Sequence, residues 1–150
     1  MRLDHVRGNN HLVHHVARLL AAAEVTAQIG QRADLVGPQT RVQVGGVTLQ
    51  VSARLLPGSP WQVRSDRPVV EDAEAVVFVD LTGDEPNFYV APAEWVREDV
   101  TRENDEWLAT QPGGTRPRNP SSTHHAIPFN RIRIWHNHWD ILSVAGQAHG

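Results

Sequence analysis

The run AVVFVDL at Ala75–Leu81, followed beyond Gly83-Asp84 by NFYV at Asn87–Val90, decides the fold class. Apolar side chains occupy successive positions of the first run, on both faces of an extended chain, so it reads as a strand covered on both sides. The second run is short, aromatic and β-branched, and the glycine-aspartate turn predicts that it pairs with the first. Immediately after it, Pro92-Ala93-Glu94 opens a helix with proline in the first turn and Trp95, Val96, Val100 and Trp107 as apolar positions.

Upstream, Arg41–Ser52 alternates through Val42, Val44, Val47, Leu49 and Val51, with Gly45-Gly46 where a hairpin turn or a bulge would sit. Ala33–Val36 reads as a further strand stopped by Gly37-Pro38, and Trp61–Val63 as another short one. Leu12, Val13, Val16, Leu19, Leu20 and Ala23 form the apolar stripe of a helix over 10–24, and Val25–Ile29 predicts a short strand ended by Gly30. Downstream, Gln111–Ser122, rich in Gly, Pro, Arg, Ser and Thr, reads as a mobile or ligand-ordered loop. In the closing stretch, Ile132 and Ile134 alternate with Arg131 and Arg133, followed by Trp135, Trp139 and Leu142 as anchors, and Trp95 and Trp107 are likewise expected as core anchors. The expected architecture is one α/β (α+β) domain over residues 1–150, a mixed central sheet of four or more strands flanked by helices.

Composition narrows the chemistry. The 150 residues include no cysteine, which excludes disulfides, thiolate nucleophiles and cysteine-ligated zinc. No apolar run approaches the length of a membrane span and no basic-then-apolar leader opens the chain, so a cytoplasmic protein without a membrane partner is expected. Net charge is -3, but its distribution is uneven. Acids dominate from Glu71 to Glu106, whereas none lies between Glu106 and Asp140, where Arg116, Arg118, Arg131 and Arg133 stand. All fourteen cationic side chains are arginine, the better fork for phosphates and guanine edges; the chain has no lysine.

The succession of a helix, Asp34-Leu35-Val36, a strand ending Gln50-Val51-Ser52, Trp61, Val-Phe-Val-Asp-Leu at 77–81 and Pro-Asn-Phe-Tyr-Val-Ala-Pro at 86–92 resembles small bacterial PD-(D/E)XK-fold proteins. The closing Trp-His-Asn-His-Trp-Asp-Ile-Leu at 135–142 is similar to their C-terminal anchor, and the likeness spans roughly 8–142. It implies a restriction-endonuclease-like sheet. In that family, carboxylates hold a divalent cation beside the scissile phosphate, and a lysine two residues beyond an acid or glutamine helps activate water. The matching positions here are Asp34, Gln50 and, for the lysine, Ser52, whose hydroxyl cannot replace a cation. The first helix also lacks the expected acid except for Glu24 at its far end.

The resemblance with its missing lysine implies a catalytically inactive nuclease-fold protein that binds DNA, reading a modified base such as methylated cytosine. No cofactor is expected, and magnesium or manganese would have only Asp34 as a charged ligand. Arg54, on the same strand face as Ser52, would bind phosphate without accepting a proton. Trp61, followed by Arg64, would either pack in the core or stack a base, and Arg116, Arg118, Arg131 and Arg133 would track the phosphate backbone. A homodimer is compatible with this reading. Two alternatives stand beside it: a metal-dependent endonuclease whose site is rebuilt from Asp34, Gln50 and His11 or His15, and a protein-interaction or immunity module using the acidic Glu71–Glu106 segment.

Overall fold

The computed structural model describes residues 10–36, 41–64, 68–110 and 124–142. Helix α1 (Asn10–Ile29) is followed by strands β1 (Ala33–Val36), β2 (Arg41–Val44), β3 (Val47–Arg54), β4 (Trp61–Arg64), β5 (Ala75–Asp80) and β6 (Asn87–Pro92). Helix α2 (Ala93–Ala109), strand β7 (His124–Ile127), a short helix α3 (Phe129–Ile132) and a 3-10 turn at Arg133–Trp135 complete the order. Five strands form a mixed sheet in the order β1-β2-β3-β5-β6, and β4 pairs with β7 in a separate two-stranded sheet. The α+β expectation of a mixed sheet flanked by helices is met.

Alternation sorts the side chains of the large sheet. Val42, Val44, Leu49, Val51, Val77, Val79, Phe88 and Val90 point to one face, where α1 and the Trp139–Leu142 segment cover them. Val76, Phe78, Tyr89 and Ala91 point to the other, against Trp61, Val63, Ile127, Ile132 and the α2 residues Val96 and Val100. Every residue of β5 is buried, which is why its sequence shows no polar alternation. Gly45 and Gly46, at φ +55° and +83°, make the two-residue turn between β2 and β3, a conformation that suits the twist of paired strands and that side chains with a Cβ disfavour. This settles the choice between hairpin and ragged strand in favour of the hairpin. β5 then lies parallel to β3, and β6 runs back antiparallel to β5.

Two expectations are corrected. Val25–Ile29 is the last turn and a half of α1 rather than a strand, and Gly30 at φ +79° closes the helix with its N–H on the Thr26 carbonyl at 2.9 Å. Its β-branched residues are poor helix formers, but Val25 is fully buried against the sheet, and that packing outweighs propensity. The Ile132/Ile134 alternation lies in α3 and the 3-10 turn: Pro128 precedes the first turn, Ile132 turns into the core and Ile134 faces solvent. Trp107 is exposed on α2 rather than a core anchor, while Trp139 is buried as expected and packs its ring 5.8 Å from that of Phe88.

Candidate nucleic-acid interface

The positions carried over from the nuclease resemblance do not converge. Asp34 pairs across to Gln43 on β2, and Gln43 to Thr48 on β3, so β2 separates Asp34 from the strand of Gln50 and Ser52. Two strand spacings amount to about 10 Å, whereas a divalent cation holds its oxygens at roughly 2–2.6 Å. Asp34 accepts a hydrogen bond from Arg32 at 2.9 Å on the surface. Gln50 is part of the scaffold: its amide donates to the Pro68 carbonyl at 3.0 Å and its oxygen accepts the Val70 N–H at 2.8 Å, pinning the chain before β5. Ser52 is buried at 5 % exposure. The alternative metal set is not assembled with His15 either, because α1, which carries the exposed His15, covers the face opposite to Asp34, Gln50 and Ser52; the His11 side chain lies outside the described residues. Among the described residues no three histidine or carboxylate side chains gather as a metal site.

What the sheet does bring together lies where parallel strands β3 and β5 end side by side. Their register sets Arg54 opposite Asp80, and the two form an ion pair at 2.9 Å with side chains 10 % and 8 % exposed. Arg54 also donates to the Ser59 carbonyl at 3.0 Å, and its guanidinium lies 4.5 Å from the Trp61 ring centre and 5.1 Å from that of Phe129. Asp80 further accepts the Thr82 hydroxyl at 2.6 Å and the Thr82 N–H at 3.0 Å. Burial by itself pushes the Asp80 carboxyl up, but these hydrogen bonds and the guanidinium charge outweigh it and hold the pKa below the ordinary aspartate value. Neighbouring Tyr89 is shifted up, mainly by burial and then by the Asp80 charge, against which Arg54 acts.

Trp61, fully buried, belongs to this cluster and not to a stacking surface: its indole N–H donates to the Val79 carbonyl at 3.2 Å, and its ring meets Phe78 and Tyr89 edge-on at 5.7 and 5.8 Å. Arg54 is likewise enclosed by the fold. The ion pair was not foreseen from sequence, although an acid ending the apolar run Val76–Asp80 is the signal that marks it.

The cluster seats the turn that follows β7. Phe129 and His136 both pack on the Tyr89 ring, at 5.7 and 5.0 Å, and the Asn137 N–H donates to the Phe88 carbonyl at 2.9 Å. Within the turn the arginines divide. Arg131 forks onto buried Asp99 of α2 at 2.9 and 3.1 Å and reaches Glu103 at 3.7 Å, whereas Arg133 is exposed, beside Ile134 at 59 % exposure. Arg131 is therefore a clamp between the turn and α2. Arg131→Ala is expected to lower stability by about 2 kcal/mol, since Asp99 keeps only Arg102, at 2.7 Å; chemical denaturation measures it, and a change below about 0.5 kcal/mol would show that Arg102 suffices. Arg64 closes β4, and Arg116 and Arg118 lie outside the described residues.

The chain matches no family model, no curated protein and no solved structure. No helix among the described residues is long and apolar enough to cross a membrane.

Proposed function

We propose that the chain is a DNA-binding protein of nuclease-like ancestry without hydrolytic chemistry, and that DNA lies against the turn at 129–138. The observation that carries this reading is the turn itself: an outward Arg133, exposed Phe129 and Ile134, and an exposed His136, in a stretch without a single acid between Glu106 and Asp140. Arg116 and Arg118, on the segment joining α2 to β7, extend the same basic stretch in sequence. The exposed acids Glu94, Glu98, Asp105 and Glu106 lie on α2 and would hold that helix away from phosphates. Separation of Asp34 from Gln50, the scaffold role of Gln50 and the absence of lysine support binding without cleavage.

Fluorescence anisotropy with a short duplex at two salt concentrations tests this. Affinity is expected to fall steeply with salt, and Arg133→Ala to weaken binding about threefold to tenfold on every sequence while lowering the salt slope by about one. Binding that is unchanged in that variant would remove the turn from the interface. Magnesium- or manganese-dependent cutting that disappears in Asp34→Ala would overturn the non-hydrolytic part. Parallel titration of a cytosine-methylated duplex tests recognition of a modified base; equal affinities would remove that element alone.

A further inference from the structure

Resting on that DNA-binding reading, we infer that Asn137 reads the edge of an adenine, with Ile134 against the methyl group of its paired thymine. Asn137 is the one non-glycine residue with positive φ, +54°, among the described residues. Its backbone is fixed at both ends of the turn. The Asn137 N–H bonds the Phe88 carbonyl at 2.9 Å, the His136 N–H bonds the Arg133 carbonyl at 3.3 Å and the His138 N–H bonds the Trp135 carbonyl at 3.2 Å.

The side chains are ordered as well. His136 lies over buried Tyr89, and its Nε2 sits 3.3 Å from Asn87 Oδ1 and 3.5 Å from Asn137 Nδ2. This row of amide, imidazole and amide is exposed at all three members. His136 Nε2 either donates to Asn87 Oδ1 or accepts from Asn137 Nδ2, according to the tautomer, and in both cases Asn137 Oδ1 has no hydrogen bond inside the row. A carboxamide presents an acceptor and a donor side by side, the pattern complementary to adenine N6 and N7, and an aliphatic side chain meets the thymine methyl. Ile134, the most exposed of the large hydrophobic side chains described, stands three residues earlier in the same turn. A rigid mount on β6 limits the conformational freedom lost when the amide engages a base. The only acids nearby in sequence, Asp84 and Glu85 before Asn87 and Asp140 after His138, would disfavour phosphate rather than a base edge at this position.

Glycine separates a reading role from a conformational one, because it adopts positive φ without strain and carries no amide. Selection from a randomised duplex pool with the wild-type chain is expected to enrich a site containing an A·T pair. Asn137→Gly is expected to keep the melting temperature and the salt-dependent affinity for random duplex, while the preference at that pair falls about fivefold to a hundredfold. Asn137→Ala should lose the same preference and also some thermal stability, from its strained backbone. Enrichment of the same site by the glycine variant would overturn the inference. So would salt-dependent binding by the wild type with no sequence preference, which leaves the DNA-binding reading standing. Absence of any duplex binding by a folded wild-type chain would remove both.

Discussion

Asp80→Ala is expected to lower the unfolding free energy by about 3–5 kcal/mol, because it leaves the Arg54 charge enclosed without its partner. The guanidinium is 10 % exposed and wedged between the Trp61 and Phe129 rings, so it cannot turn out to water without opening the contact between β4 and α3. Thr82 would lose the acceptor of both its hydroxyl and its N–H. Urea unfolding of the variant beside Arg54→Met/Asp80→Leu separates the two contributions: the apolar double replacement should recover much of the loss, since removing both charges leaves neither uncompensated. A single variant as stable as the wild type would mean that the pair is not enclosed in solution. The pH dependence follows from the sign of the shift. The Asp80 pKa is depressed on folding, so the pair's stabilisation is fully present above the unfolded aspartate value of about 4 and is lost as pH falls through the lower folded value. The gap between wild type and Asp80→Ala should accordingly be constant near neutrality and narrow in acid.

The second large effect is expected at Trp61. Truncation to alanine removes a fully buried indole that touches Phe78 and Tyr89 edge-on and bonds the Val79 carbonyl, at a cost of about 3–5 kcal/mol. Trp61→Phe should retain most of the packing and lose chiefly the indole hydrogen bond, roughly 1 kcal/mol. If Trp61 were instead an exposed stacking platform, alanine would leave the melting temperature unchanged and weaken only nucleic-acid binding. The order of the three proteins in thermal unfolding decides between these descriptions.

The parts of the fold that were legible in the sequence are those fixed by local pattern. Ala75–Asp80 announces a strand covered on both faces, Gly45-Gly46 a hairpin, and Pro92-Ala93-Glu94 the start of α2, each through backbone or burial rules that need no distant partner. The end of α1 was misread because Val25, Thr26 and Ile29 favour strands until a sheet is present to bury them. β7 was missed since His124-His125-Ala126-Ile127 has little apolar alternation; its pairing depends on β4, far earlier in the chain. The candidate site was harder still. Gln50, Arg54, Trp61 and Arg131 look like surface or ligand-facing residues until the parallel register of β3 with β5 and the packing of α3 on α2 give each a partner.

That long-range pairing has a consequence for synthesis. The meander from α1 to β3 contains only neighbours in sequence and can condense as soon as it is made, but β4 emerges with no strand to accept it, since its partner spans His124–Ile127. Until translation passes that point, Trp61 and Val63 lack their final cover and the edge of β4 is unpaired. The nascent chain thus carries a sticky, half-built layer from the emergence of β4 until β7 is made, and completion of this layer waits on His124–Ile127. Pauses or truncations ahead of β7 would leave a partially collapsed species prone to aggregation, whereas α3 and its aromatic contacts arrive as the closing fastener.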